Sequence, residues 1–287
     1  MILSQALPRP QFPLRRQNFI PFPDWSAGMP FFNTEGNSSY NSLQTKWTRH
    51  AYKGLDMLLG YTFAKALTDA GDSLSNGGAG GYRAAAIVPM SYDRGLAGFN
   101  IKHQFVASGS YALPFGRGKD FLNGLNRIGE AVLGGWSING ILTFDSGQPD
   151  TVWSAINTGS GISAYAVTVP GVSKYRGHIA SYFNPAAFTN PPLVATVGQT
   201  DLAPLGGGPT QVNGPGYRDF DFSVFKAFQI REGIHSEFRA EAFNLTNTPS
   251  FALPGNLNYQ GNNPNFGQIT STISTARQLQ FAFKCYF

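Results

Sequence analysis

The chain has 287 residues, a net charge of +5, only 13% charged residues and 14% aromatics, with 34 Gly, 24 Phe and 12 Tyr. Ordinary globular domains carry roughly 25% charged residues, so this composition suits a wall with a lipid-facing side and aromatic girdles better than a water-exposed surface. The basic residues are scattered, which argues against nucleic-acid binding. The chain also lacks the run of about eighteen apolar residues that a membrane helix needs.

In chain order, the segment MILSQALPRPQFPLRR lacks the basic start, apolar stretch and small-residue cleavage site of a signal peptide. The expectation is that the exported start lies elsewhere, or that this is the C-terminal piece of a longer chain. Residues 27–33 could supply a strand. Leu43, Thr45 and Trp47 then alternate with polar neighbours. After Tyr52-Lys53-Gly54, read as a three-residue connection, Leu55, Met57, Leu59, Tyr61 and Phe63 alternate again. A period of two is the signature of a strand, and Gly in a short connection is the signature of a hairpin. The pattern breaks at TDAGDSLSNGGAGG, the start of a long loop to about Asn100.

Phe105, Ala107, Gly109, Tyr111 and Leu113 form the next apolar face, and Pro114-Phe115-Gly116 ends it. A connector of moderate length leads to Trp136, Ile138, Gly140, Leu142 and Phe144. Residues 147 to about 216, rich in turn formers, read as a very long irregular stretch. Phe220, Phe222 and Val224 alternate with Asp219, Asp221 and Ser223. A tight turn at Arg231-Glu232-Gly233 precedes Phe238, Ala240 and Ala242, which alternate with Glu237, Arg239 and Glu241. A further loop leads to Leu279, Phe281, Phe283, Cys285 and Phe287. The expected strands are 39–51, 54–66, 101–114, 134–146, 217–230, 234–246 and 272–287.

Short connections near 52–54, 115–133 and 231–233 alternate with long ones near 67–98, 147–215 and 247–270. Outer-membrane barrels have this parity, with short periplasmic turns and long extracellular loops. The fold class is therefore all-β: an antiparallel meander forming a partial outer-membrane β-barrel with long extracellular loops. Charge on a lipid face is costly, roughly 2–4 kcal/mol for a midplane Arg. Asp56, Asp219, Asp221, Glu237, Arg239 and Glu241 should therefore face the lumen, as a contact surface for a plug or solute or as a cross-strand ion-pair ladder. The set Phe220, Phe222, Leu55, Leu59, Phe281 and Phe283 should share the outer face, opposite to Asp56, Asp221, Glu237, Arg239 and Lys284.

Little else points to chemistry. His50, His103, His178 and His235 are not at metal-ligand spacing, and no nucleophile elbow or HExxH motif occurs. Gly116–Lys119 lacks the Walker spacing and reads as a turn. Asp69 and Asp72 read as solvated loop residues. No enzyme activity and no cofactor are expected. The single cysteine, Cys285, rules out an internal disulfide.

Several ordered motifs resemble the C-terminal part of TonB-dependent receptors of the Oar-like branch. They are NSSYNSLQTKWTRHAYKGLDMLLGYTFAKALTDA, KHQFVASGSYALPFGRGK, GGWSINGILTFDSGQP, GPGYRDFDFSVFKAFQI, FRAEAFNLTNTPSF and FGQITSTISTARQLQFAFKCYF. The resemblance covers roughly residues 20–287. It implies localisation in the cell outer membrane and a parent barrel of about twenty-two strands with a plugged lumen. Residues 1–287 would be the C-terminal segment of that barrel, about seven or eight strands without plug or coupling box, whose sheet should not close at full size but stay a curved open sheet or else curl into a small distorted barrel. The resemblance implies that the terminal strand, with Phe281, Phe283 and Phe287, is read by the barrel-assembly machinery. It also implies that the full receptor imports a solute using the TonB complex, which this chain would reach only through the missing N-terminal part. The alternatives are a small outer-membrane barrel with a structural or adhesive role and a soluble all-β carbohydrate-binding domain.

Overall fold

The computed structural model describes residues 36–69, 90–157, 163–191, 206–231, 234–261 and 263–287. The possible strand at 27–33, Asp72 and most of the first long connection lie outside the described residues. Seven long strands make the wall: β1 (Ser38–Tyr52), β2 (Leu55–Thr68), β3 (His103–Ala112), β4 (Trp136–Asp145), β5 (Tyr217–Arg231), β6 (Ile234–Phe243) and β7 (Gln278–Tyr286). They pair in the order β1-β2-β3-β4-β5-β6-β7, each antiparallel to the next, and a two-residue strand, Gly95–Leu96, adds to β2. The expected meander is present. The sheet is open, because neither β1 nor β7 has a second ladder partner among the described strands.

Three boundaries differ from the sequence reading. The first hairpin turns in two residues, because Tyr52 pairs with Leu55. Lys53 and Gly54 have φ of 51° and 81°, the doubly left-handed geometry whose twist matches the flanking strands. The connector after β3 contains a short helix, α1 (Arg127–Leu133), started by Asn126, whose side chain accepts from the Gly129 amide at 2.7 Å. The last strand begins at Gln278 rather than near 272. Just before it, Arg277 donates its amide to the Asn247 side chain, outside the ladder.

Ladder partners share a face, so the register assigns the faces. Leu59 sits opposite Ala107, Ala107 opposite Leu142 and Leu142 opposite Phe220. Phe222 sits opposite Ala242, Ala240 opposite Phe281 and Phe238 opposite Phe283. By period two, Leu55, Leu59, Phe220, Phe222, Phe281 and Phe283 therefore lie on one apolar face, and Asp56, Asp221, Glu237, Arg239 and Lys284 on the other, as expected.

The wall does not hold the main buried core. That core lies in the connections: Val152, Ala166, Phe183, Phe188, Val212 and Phe266 are all nearly inaccessible and pack together. The described residues of 147–216, a stretch read as irregular, include instead a set of short paired strands. Pro149–Asp150 pairs with Val212–Asn213, Trp153–Asn157 with Ser163–Tyr165, Val167–Thr168 with Phe188–Thr189, and Tyr175–His178 with Ser181–Phe183. Each strand is too short to show a period, which is why its pattern is invisible in the sequence.

Candidate functional site: a polar wall face and an outward cap

On the polar face, one ladder row crosses six strands: Asp56, Ser110, Asn139, Ser223, Glu241 and Gln280 are successive partners. A cleft of about 350 Å³ opens on this face beside Asp56, His50, Ser110 and Asn139. His50 Nδ1 lies 3.9 Å from Asp56 Oδ1, an ion pair only when the imidazole is protonated. On β6, Arg239 is bracketed by its own strand, with Glu237 at 2.9 Å and Glu241 at 3.6 Å. Its guanidinium lies 4.6 Å from the Phe225 ring centroid on β5.

The ion-pair ladder expected across strands therefore runs along one strand. Asp219 and Asp221 are not the partners of Arg239. The register puts Asp219 opposite Thr143 and Asp221 opposite Ile141, nearer the long-connection end, and Asp221 Oδ1 accepts the Asn244 amide at 2.9 Å. All six acidic and basic candidates thus share a face, but they lie in three places on it: Asp56 beside His50, Asp219 and Asp221 toward the long connections, and Glu237, Arg239 and Glu241 along β6. Lys284, opposite Glu237 on β7, has no ion pair among the described residues.

Register also puts the basic residues Arg49, Lys65, Arg218 and Lys226 on the apolar face, and among these Lys226 is the buried one. Lys226 pairs with Trp136 and Phe238, so it belongs to the apolar face, yet it is only 3% exposed. Its ammonium lies 4.9 Å and 5.1 Å from the Trp136 and Phe228 ring centroids and donates to the Gly134 carbonyl. An aliphatic stem along apolar surface with the charge carried to a polar edge is snorkelling. The period-two pattern from Val224 was the signal that could have placed it.

The long connections converge on one cap. Tyr165 Oη donates to Asp93 Oδ1 at 2.6 Å and the Leu96 amide donates to Thr210 Oγ1 at 3.1 Å, tying the first long connection to the second. Asn258–Tyr259 runs parallel to Trp153–Ser154, and Phe266 completes the core, bringing in the third. Gly267, at φ 66°, lets that connection pass against Phe183, where a Cβ would come within 2.8 Å of the Phe183 Cβ. Gln211 holds the centre: its Oε1 accepts the Val152 amide at 2.8 Å, and its Nε2 donates to the carbonyls of Val152 and Ala166. Burial pushes the Asp150 carboxyl up to about 6, although it accepts the Thr151 amide. The hairpin Tyr175–Phe183 projects from this core with Tyr175, Arg176, His178 and Ile179 exposed.

The other flagged residues have local roles. Asp69 accepts the Asn37 amide at 2.5 Å and faces Arg94 at 3.6 Å. His103 contacts the Tyr61 hydroxyl at 2.9 Å, and His235 stacks on Tyr286. Residues 116–119 form a turn braced by Glu130 and Asn123. Among the described residues no cluster of His, Cys, Asp or Glu could hold a metal ion, and no helix is long and apolar enough to cross a membrane.

Strands of 9 to 15 residues meet the ~9–11 residues needed to cross a bilayer at a tilt, and the face carrying Leu55, Leu59, Phe220, Phe222, Phe281 and Phe283 offers apolar side chains to its hydrocarbon. No curated protein and no solved structure matches the chain. A family model described as "Outer membrane beta barrel domain" matches residues 3–280. With nearly the whole sequence inside that match and an antiparallel wall polar on one side only, the chain belongs to the outer membrane beta barrel domain family and is a protein of the cell outer membrane.

Proposed function

We propose that this chain is the C-terminal wall and cap of a TonB-dependent receptor, whose cap binds a solute that the full receptor imports. The observation that supports it most is the cap. The second and third long connections, at one end of the wall, fold around a shared core, the described part of the first is tied to them through Asp93 and Leu96, and an exposed hairpin is presented. A passive structural barrel has no need of such a body. The polar face, with Arg239 held between Glu237 and Glu241, is the surface that would meet a plug.

In this reading residues 1–287 are one barrel segment, without catalysis or cofactor. Its partners are outer-membrane lipid, the barrel-assembly machinery reading Phe281, Phe283 and Phe287, and the TonB complex through a plug-bearing part. The adhesive reading shares the cap but needs no TonB. In-cell crosslinking of the assembled protein in outer membranes decides between them. A TonB adduct is expected. Its absence, with the protein correctly assembled, refutes the receptor reading and leaves the adhesive one.

A further inference from the structure

The connection from β3 to β4, residues 113–135, holds α1 and is far longer than the two-residue turn between β1 and β2 at the same end of the wall. Its polarity is inverted. Ile128 and Val132, one helical turn apart on one face of α1, are 77% and 58% exposed. Glu130, on the opposite face, turns inward: its Oε2 accepts the Arg117 amide at 2.7 Å, and a Cβ on Gly116 or Gly134 would collide with its carboxylate. No residue of the helix is buried. Phe121 and Leu122, just before it, are also exposed, and the Phe121 ring lies 6.2 Å from that of Phe115. A surface helix in water turns its apolar stripe inward, whereas an exposed apolar patch marks a protein or membrane contact.

Two contacts fix the side of the wall on which this patch lies. The Trp136 indole N–H donates to the Val132 carbonyl at 2.9 Å, and the Lys226 ammonium donates to the Gly134 carbonyl. Trp136 and Lys226 are ladder partners on the apolar face. The last turn of α1 is thus tied to the lipid-facing side of the wall, at its short-connection edge. Arg117, Lys119 and Arg127 are exposed in the same connection beside one exposed acid, Asp120, and form no ion pair among the described residues. Apolar side chains and unpaired cations beside a Trp, at the edge of a hydrocarbon-facing wall, match the boundary between acyl chains and phosphate headgroups.

We propose that residues 113–135 are an interfacial anchor. α1, with Phe121 and Leu122, dips into the phospholipid leaflet on the short-connection, periplasmic side of the outer membrane, while Arg117, Lys119 and Arg127 meet lipid phosphates. The occupant is lipid rather than a second copy of the chain for two reasons. The patch continues a wall face whose own contact is hydrocarbon, and its cations outnumber the acids that a self-matching surface would need. The proposal rests on the wall's crossing of the outer membrane and not on solute import.

The test is photo-crosslinking of the protein assembled in outer membranes of its native host. p-Benzoylphenylalanine is placed at Phe121, at Ile128 or, on the polar face, at Lys284, and adducts are identified by mass spectrometry. Phe121 and Ile128 are exposed, so these exchanges leave the fold intact. The expected result is a phospholipid adduct from Phe121 and from Ile128 and none from Lys284. Ile128→Gln with Val132→Gln should lower the Phe121 adduct several-fold while heat-modifiable gel mobility stays normal, because the helix no longer holds the connection in the leaflet. Adducts with lipopolysaccharide would put the connection at the outer leaflet, and adducts with a second copy or another protein would make it a protein-docking surface. Either overturns the proposal, as does the lack of lipid adducts from assembled protein, or a Phe121 adduct that the double exchange leaves unchanged. Phospholipid adducts without any TonB adduct would remove the receptor reading and leave this inference standing.

Discussion

The Asp150 carboxylate offers a direct test of the cap as a folded body. Asp150 sits in the two-residue strand at the root of the second long connection, paired with Val212, which belongs to the buried core. Burial raises its carboxyl from 3.8 to about 6, and the Thr151 amide only partly offsets that. The folded cap therefore prefers the protonated acid. Below pH ~4 the group is protonated in both folded and unfolded states, and its full contribution to stability is present. Between pH ~4 and ~6 the unfolded chain ionises first, so stability falls, and above ~6 the penalty is constant. A displacement of about two pH units at ~1.4 kcal/mol each is worth roughly 3 kcal/mol. Asp150→Asn keeps an oxygen for the Thr151 amide and removes the charge. It should stabilise the cap at pH 7 by up to about 3 kcal/mol and flatten its pH dependence between 4 and 6. The assay is limited proteolysis of the 147–215 connection in detergent-solubilised protein under graded urea, at pH 4, 5, 6 and 7. An unchanged slope in the variant, or wild-type resistance that rises with pH over this range, would refute the burial argument.

Other substitutions separate wall from cap. Phe183→Ala empties the cap core and should cost about 3–5 kcal/mol there, exposing the cap to protease while heat-modifiable gel mobility of the wall stays normal. Gly54→Val places a Cβ near 2.9 Å from the Ala112 carbonyl at φ 81°; the strain, about 1–3 kcal/mol, should appear as slower assembly in pulse-chase. Phe281→Asp with Phe283→Asp should block outer-membrane insertion of the assembled protein, by an amount that depends on depth, whereas Lys284→Gln on the opposite face should insert nearly normally in the same mobility assay. Normal mobility of the double Asp variant would show that this face does not meet lipid.

The sequence by itself determined the wall. Strand identity, pairing order and the two faces follow from a side-chain period of two carried over 9 to 15 residues per strand, so Phe281 and Glu237 could be assigned to opposite sides before any contact was known. Chain direction then set which connections share an end. Tertiary structure alone decided three things. It folded the described residues of 147–216 into a body with a core, because strands of two to five residues carry no readable period and their core neighbours lie far along the chain, as Phe266 does from Val152. It separated Asp219 and Asp221 from Arg239, because register, which depends on where β6 ends and Asn244 turns, sets who faces whom. It made Lys226 compatible with an apolar face, because the Gly134 carbonyl and the Trp136 and Phe228 rings come from or pack with neighbouring elements that only folding brings beside it.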